Sequence, residues 1–296
     1  MLEGEGPMRL TVIHNPTAGS GKPSADGLTE TLKAHGHDLR YRSSRDPDFP
    51  AVLVEPADLV VVAGGDGTVS KVVAQLPDRN TPVAILPLGT ANNIAMSLGI
   101  EGTLDDIVAG WRIAGIRRLD VGAAFGPWGR RSFVEAVGIG ALARATARME
   151  AADIEAGGAG KLHLGRSMFR EALAEAEPED LGVVVDGRAL PGDLLLVEVM
   201  NIGYVGPNLL LAPSADPGDG YLDVVHVRAN RRAEMLEWLD SVEGRMPPLV
   251  VLRGRRVSIA WRGAPLLLGD DFLPVPEHAE NVTVETDPEG LPVLVP

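Results

Sequence analysis

A glycine turn, Gly64-Gly65-Asp66-Gly67-Thr68, is the stretch of this sequence with the clearest capacity for chemistry. It follows the apolar run 59–62 and precedes valine and leucine residues at helical spacing, which predicts a strand, a turn and a helix in succession. Such a turn directs backbone N–H groups and the positive end of a helix dipole at one point, where a phosphate can approach closely. The Asp66 carboxylate would repel a bare phosphate, so it indicates either a divalent cation or a role in ordering the loop. An ordinary helix cap is the alternative from these residues alone.

Two more turns rich in small residues follow strand candidates. NPTAGSGK runs from Asn15 to Lys22, and it is not a Walker loop because Pro16 stands where that motif requires glycine. PLGTANN runs from Pro87 to Asn93. Ser43 and Ser44 end a further strand candidate. Ligands of open parallel sheets gather at the carboxyl ends of the strands, so these stretches together predict one phosphate site.

Two carboxylate groups stand in the second half of the sequence. Asp216-Pro217-Gly218-Asp219-Gly220-Tyr221 can be a plain turn or a site for a hard cation with oxygen ligands, although it lacks the EF-hand pattern. Gly269-Asp270-Asp271 follows an apolar stretch, and this acidic pair can be a solvated turn, a general base or a metal site.

The elements that must position these residues divide into two domains. Residues 8–118 alternate strand and helix patterns about four times, which predicts a doubly wound α/β domain, and residues 290–296 can pack back onto it. Residues 119–289 show apolar alternation and tight turns, which predicts an antiparallel β-sandwich. Within it, Val183–Val185 and Leu194–Met200 look like strands about the turn Asp186-Gly187, and helices are expected over 141–155 and 230–243. Residues 1–7 look like a loose leader.

Composition limits the partners. The 296 residues carry a formal net charge of −14, which argues against nucleic acid and against strong electrostatic attachment to anionic lipid. The sequence has no cysteine, so disulfides, thiolate metal sites and cysteine nucleophiles are excluded. No apolar run is long enough for a transmembrane segment, and we expect a cytoplasmic protein, peripheral to a membrane at most. Pairing of sandwich edge strands would allow a homodimer.

Taken together, the motifs resemble the diacylglycerol kinase catalytic family, bacterial lipid kinases related to sphingosine and ceramide kinases. The matching segments, in order, are NPTAGSG (15–21), GGDGT (64–68), PLGTANN (87–93) and APSADPGDGYLDV (212–224). GGDGT alone is shared with NAD kinases and phosphofructokinases, whereas the later two segments are more specific to lipid kinases.

The resemblance implies that residues 8–118 form a nucleotide-binding domain and residues 119–289 a lipid/substrate domain. It also implies an ATP-dependent transfer of the γ-phosphoryl group to a hydroxyl of a diacylglycerol-like lipid, reached by transient contact with a membrane surface. Asp66 would act on the phosphates through Mg²⁺, and Asp219, with main-chain oxygens near Asp216 and Tyr221, would form a structural Mg²⁺ site. The family's catalytic base lies in a late DGE motif, where this sequence has GDD; Asp271 aligns with the glutamate, and Asp270 replaces it if the loop shifts by one residue. The residues that would hold the nucleotide are Asn15, Pro16, Thr17, Ala18, Gly19, one of Ser43 or Ser44 with Ser44 preferred, Gly64, Gly65, Asp66, Gly67, Thr68, Thr90 and Asn92.

Three acidic positions differ from the family pattern. GGDGTxNE becomes GGDGT followed by Val69, Ser70 and Lys71, PxGTxND ends in Asn93, and DGE is GDD. The glycine loops are intact, so nucleotide binding survives these changes better than catalysis. Two alternatives follow: an NAD-kinase-like small-molecule kinase, and a non-catalytic nucleotide- or lipid-binding protein of the same fold.

Overall fold

The computed structural model of the protein describes residues 7–151, 158–241, 245–287 and 289–296. Part of the expected leader (1–6) and the ends of the two expected helices (152–155 and 242–243) lie outside the described residues. The chain divides into two compact units. Unit 1 comprises residues 7–119 with 289–296, and unit 2 comprises the described residues from 120 to 287.

Unit 1 contains six strands and four α-helices, numbered along the chain. The strands are β1 (Arg9–His14), β2 (Asp38–Ser43), β3 (Leu59–Gly64), β4 (Val83–Pro87), β5 (Gly115–Leu119) and β20 (Leu291–Val295). The helices are α1 (Ala25–Ala34), α2 (Asp66–Val73), α3 (Asn93–Ser97) and α4 (Leu104–Gly110), with a 3₁₀ segment at Phe49–Val54.

These strands form one sheet in the order β2-β1-β3-β4-β20-β5. The first four are mutually parallel, so the loops that follow them lie at the same edge. All six residues of β3 are buried, as the unbroken apolar run predicts for a central strand covered on both faces. β20 pairs in parallel with β4 and antiparallel with β5. The predicted α/β class is confirmed.

Unit 2 contains fourteen strands and three α-helices among its described residues. The strands are β6 (Gly122–Gly126), β7 (Gly129–Phe133), β8 (Ala136–Gly140), β9 (Val183–Val185), β10 (Arg188–Ala189), β11 (Leu194–Met200), β12 (Tyr204–Val205), β13 (Leu209–Leu210), β14 (Leu222–Arg228), β15 (Val250–Gly254), β16 (Arg256–Trp261), β17 (Leu266–Leu268), β18 (Asp271–Leu273) and β19 (Glu280–Thr286). The helices are α5 (Ala141–Ala151), α6 (Gly158–Glu175) and α7 (Arg232–Leu239).

Two antiparallel six-stranded sheets form the body of unit 2. Their orders are β10-β9-β16-β19-β6-β7 and β15-β14-β11-β8-β17-β18. A core that includes Val257, Val284 and Val199 draws on both sheets. A second core joins residues of the β11–β14 sheet to α6 and α7 through Phe169 and Trp238. The predicted antiparallel class of the second half is confirmed.

One local prediction in unit 2 was wrong. The Asp186-Gly187 turn joins β9 to the short strand β10, and β11 lies in the other sheet. The turn residues have φ values of +46° and +83°, as a two-residue hairpin requires, but they do not specify which strand pairs.

Candidate nucleotide-binding site

Three loops of unit 1 approach each other backbone to backbone, because each has a glycine at the point of closest approach. A Cβ on Gly89 would lie 2.4 Å from the Cα of Gly65. A Cβ on Gly19, which has a φ of +53°, would lie 2.4 Å from the carbonyl oxygen of Leu88. Any side chain at these positions would force the loops apart. The glycines therefore bring the loops after β1, β3 and β4 into one site.

Asn15 connects the first loop to the glycine turn. Its Nδ2 donates to Thr68 Oγ1 at 3.3 Å, and its Oδ1 accepts from the backbone N–H and the hydroxyl of Thr17 at 3.2 and 3.0 Å. The backbone N–H of Asn15 also donates to Ala63 O at 2.8 Å. These bonds hold the hydroxyl groups of Thr17 and Thr68 and the side-chain amide of Asn15 at the carboxyl end of β3.

Asn92 closes the loop after β4 on itself. Its Oδ1 accepts from the N–H of Gly89 at 2.8 Å, and its Nδ2 donates to the carbonyls of Gly89 and Pro87 at 3.0 and 3.3 Å. Its backbone is left-handed, with a φ of +53°, a conformation that asparagine tolerates better than most residues. The side chain is thus occupied in shaping the loop.

An open cavity of about 470 Å³ lies at these loops. Its lining combines backbone, small polar side chains and two cations: Asn15, Thr17, Ala18, Ser44, Arg45, Gly65, Gly67, Thr68, Lys71 and Gly89. Seven of the residues that sequence reasoning assigned to the nucleotide are in this lining. The other six are not: Pro16, Gly19, Gly64, Asp66, Thr90 and Asn92.

Three lining residues were missed by sequence reasoning: Arg45, Lys71 and Gly89. Gly89 sits in the PLGTANN turn, and its contact with Gly65 explains the need for glycine there. Lys71 follows Gly67 by four residues on α2, and that spacing places two residues on one helix face. This spacing was the available signal for Lys71, whereas Arg45 carries no comparable pattern.

Asp66 faces the start of α3. Its two carboxylate oxygens accept from the backbone N–H groups of Asn93, at 3.0 Å, and Ile94, at 2.9 Å. Burial raises the pKa of Asp66 above its ordinary value, although these N–H groups favour the charged form. The carboxylate joins the glycine turn to the loop after β4, in agreement with the loop-ordering interpretation of this residue.

Lys71 and Arg45 are held beside the glycine turn. Lys71 Nζ donates to the carbonyl oxygen of Ser44 and lies 4.9 Å from the ring centre of the buried Phe49. Arg45 Nη1 donates to Thr17 Oγ1 at 3.0 Å. The two side chains therefore give one side of the cavity a positive charge.

The lining offers no direct Mg²⁺ site. No carboxylate is among the described residues that line the cavity, and both oxygens of the nearby Asp66 accept backbone N–H groups. Mg²⁺ in proteins is bound by one or two carboxylates together with substrate phosphates and water. The cavity thus suits an anion more than a metal held by the protein.

The turn from Asp216 to Tyr221 lies in unit 2. Asp219 forms an ion pair with Arg253 and accepts from the N–H of Tyr221 at 3.0 Å, while Asp216 accepts from Gly218 N at 3.1 Å. The described residues contain no group of three or more histidine, aspartate or glutamate side chains placed to hold a metal. The Mg²⁺ site proposed around Asp219 stays a prediction, and in this structure a guanidinium group occupies one side of its carboxylate.

Asp270 and Asp271 lie at the turn between β17 and β18, where Leu268 pairs with Asp271. Both residues are exposed, and Asp271 contacts Arg131 at 3.2 Å between Oδ2 and Nη1. The Asp271 side chain is 70% exposed, so its carboxylate is open to an incoming hydroxyl group. Its role as a base stays a prediction.

Comparison with known proteins agrees with this fold. A model of the diacylglycerol kinase catalytic domain matches residues 9–124, and the YegS C-terminal NAD kinase beta sandwich-like domain matches residues 135–295. A Mycobacterium tuberculosis (strain CDC 1551 / Oshkosh) protein named diacylglycerol kinase is 26% identical over 310 residues, with coverage of 97% of this chain and 95% of that protein.

Two solved structures share the fold. A diacylglycerol kinase from Bacillus anthracis str. Sterne has a TM-score of 0.68 at 18% identity, covering 99% of this chain and 98% of that one. An NAD kinase from Archaeoglobus fulgidus in complex with ATP has a TM-score of 0.56 at 14% identity, covering 97% of this chain and 93% of that one.

The family matches identify a kinase, and its fold combines an α/β unit with an antiparallel β unit. The chain belongs to the diacylglycerol kinase catalytic family. Membership of a kinase family implies the use of ATP. The predicted resemblance is confirmed.

Proposed function

We propose that this protein is an ATP-dependent lipid kinase that transfers the γ-phosphoryl group to a hydroxyl of a diacylglycerol-like lipid. The observation that carries the proposal is the cavity of unit 1, where a glycine turn, hydroxyl groups and two cations converge. The relatives named diacylglycerol kinase support the class of acceptor. Among the described residues, no helix is long and apolar enough to cross a membrane. We also propose that the lipid is reached by transient contact with a membrane surface.

Phosphoryl transfer requires positioning and charge stabilisation more than covalent chemistry by the protein. The first turn of α2 would hold phosphate oxygens through backbone N–H groups, and Thr17, Thr68 and Asn15 would add polar contacts. Mg²⁺ would enter as part of the ATP complex, where it supplies additional positive charge to the phosphates. Asp66 would keep the loop after β4 aligned with the glycine turn.

The acceptor oxygen would attack the γ-phosphorus while the bond between that phosphorus and the β–γ bridging oxygen breaks. ADP leaves with the bridging oxygen, and the acceptor's proton passes to a base. Asp271 is proposed as that base because it aligns with the family's glutamate and is open to solvent. Asp270, its neighbour on the same turn, is the alternative.

Purified protein with γ-labelled ATP and Mg²⁺ tests the proposal, using diacylglycerol micelles, a panel of other lipids and NAD as acceptors. We expect labelled phospholipid. The Asp271→Asn variant should lose turnover while it still binds ATP, and Asp105→Asn, a surface substitution in unit 1, serves as the matched control. If Asp270→Asn abolishes turnover and Asp271→Asn does not, the base is Asp270. ATP binding without any lipid product, or product from NAD alone, would overturn the lipid kinase proposal.

A further inference from the structure

We infer that Lys71 and Arg45 bind the phosphate chain of the nucleotide directly, so that unit 1 binds ATP without a divalent cation. The inference rests on the proposed function, because it takes the cavity to be the ATP site. Neither Lys71 nor Arg45 was among the residues predicted from the sequence to hold the nucleotide. A phosphate contact also gives a chemical reason for the lysine at position 71, where the family pattern has an acid.

The charge of the cavity is opposite to that of the protein. The chain has a formal net charge of −14, yet the lining residues that the structure describes include two cations and no acidic side chain. A cavity with this lining favours an anion, and its concave shape strengthens the local field. The phosphate chain of a nucleotide has the matching charge and is long enough to reach both the glycine turn and the cations.

The position of Lys71 on α2 directs its side chain toward the glycine turn. Gly67 and Lys71 are four residues apart and both line the cavity. Side chains of a helix lean toward its N-terminus, and Gly67 has no side chain to block the path. The lysine stem can therefore lie over the first turn of α2.

Lys71 is also held in place before any ligand arrives. Its ammonium group donates to the Ser44 carbonyl and lies over the ring of Phe49, which is only 2% exposed. A lysine ammonium has three N–H donors, so the contact with Ser44 leaves donors for phosphate oxygens. Arg45 is held likewise through Thr17, and its guanidinium suits a phosphate geometrically.

A lysine at position 71 cannot bind a metal ion as an acidic residue could. A glutamate at position 71, as in the family pattern, could hold a metal ion or its water shell against the phosphates. The ammonium group repels a metal ion and attracts phosphate oxygens directly. Neutralisation of the phosphates thus shifts from the metal to the protein.

The test is calorimetric titration of the full chain with ATP and with inorganic tripolyphosphate, in EDTA and in excess Mg²⁺. Wild type should bind both ligands in EDTA, more weakly as salt rises because these side chains are exposed to screening. Lys71→Gln should weaken binding in EDTA by about tenfold or more, the usual effect of a charge-assisted bond. Lys71→Glu should bind ATP only when Mg²⁺ is present.

Lys33→Gln, at the exposed end of α1, is the matched control and should bind as wild type does. Thermal unfolding of each variant shows that it is folded. Wild-type binding that requires Mg²⁺, or unchanged binding by Lys71→Gln, would overturn the inference. The titration contains no lipid, so it is independent of the kinase assay. A kinase assay without lipid product would overturn only the proposed function. A titration without ATP binding under any condition would overturn both the proposed function and this inference.

Discussion

A Cβ atom on Gly89 would lie 2.4 Å from the Cα of Gly65, so the turns after β3 and β4 touch through their backbones. No flexible side chain can move aside to relieve that contact. Gly89→Ala should therefore separate the two turns and lose most ATP binding. Titration with ATP measures this effect. Gly110→Ala is the control, since its Cβ meets nothing within 4 Å and it should bind ATP as wild type does. Equal affinity of the two variants would show that the contact does not shape the site.

Asp66→Asn should destabilise unit 1. The carboxylate accepts N–H groups with both oxygens, and an asparagine side chain can replace only one of them. Leaving one N–H without its partner costs about 1–3 kcal/mol of unfolding free energy. Urea unfolding measures the loss, with Asp78→Asn, which accepts a single local N–H from Asn80, as the control. Unfolding curves of Asp66→Asn and wild type that superimpose would contradict this structural role.

Glu198 should make stability fall as pH rises. The residue is fully buried on β11, neither carboxyl oxygen has a hydrogen-bond partner in the described part of the chain, and burial raises its pKa to about 8. The folded state binds this proton more tightly than the unfolded state, in which the glutamate has its reference pKa of 4.5. The free energy of unfolding therefore falls as pH rises from about 4.5 to about 8. The slope is on the order of 1 kcal/mol per pH unit.

Glu198→Gln should lack this slope, because an amide does not ionise in that range. Urea unfolding from pH 5 to about pH 8 compares wild type, Glu198→Gln and the exposed control Glu277→Gln. The stability of Glu198→Gln should rise relative to wild type as pH increases, whatever its absolute value. A constant difference across the range would mean that Glu198 is not protonated in the folded protein.

Asp58 should have the opposite pH dependence, because its contribution to stability is lost as pH falls. Hydrogen bonds from the Arg9 side chain and backbone hold the pKa of Asp58 at about 2, below its reference value of 3.8. Its contribution is complete above about pH 4 and disappears as pH falls toward about 2. Both side chains are more than one-third exposed, so the pair is worth less than about 1 kcal/mol. The stability gap between wild type and Asp58→Asn, measured by urea unfolding, should shrink between pH 5.5 and about pH 2.5; a gap that widens would refute the assignment.

Sequence reasoning succeeded where a local pattern determines local structure. The buried run of β3, the glycine turn and the first turn of α2 follow directly from residues 59–69. The parallel sheet then places the loops at one edge, which is why seven predicted nucleotide residues line the cavity.

The parts that could not be predicted depend on residues far apart in the chain. In the sequence, Lys71 is recognisable only as a cation where the family pattern has an acid. Its hydrogen-bond partner, the carbonyl of Ser44, lies 27 residues earlier, so no local pattern indicates the contact. Glu198 interrupts the apolar run LLLVEVM, but the space for its carboxyl group comes from Gly138, where a Cβ would lie 2.3 Å from Glu198 Oε2. Helix α6 mixes basic, polar and apolar residues without a clear stripe, so its packing against α5 and α7 had no sequence signal.

The pairing of β20 with β4 and β5 has a consequence for the order in which the protein can be made. Unit 2 lies between β5 and β20 in the chain, so every residue of unit 2 is synthesised before the last strand of the unit 1 sheet exists. The edges of β4 and β5 that pair with β20 have no partner from this strand until residues 291–295 emerge. Synthesis of unit 1 therefore begins before that of unit 2 and ends after it.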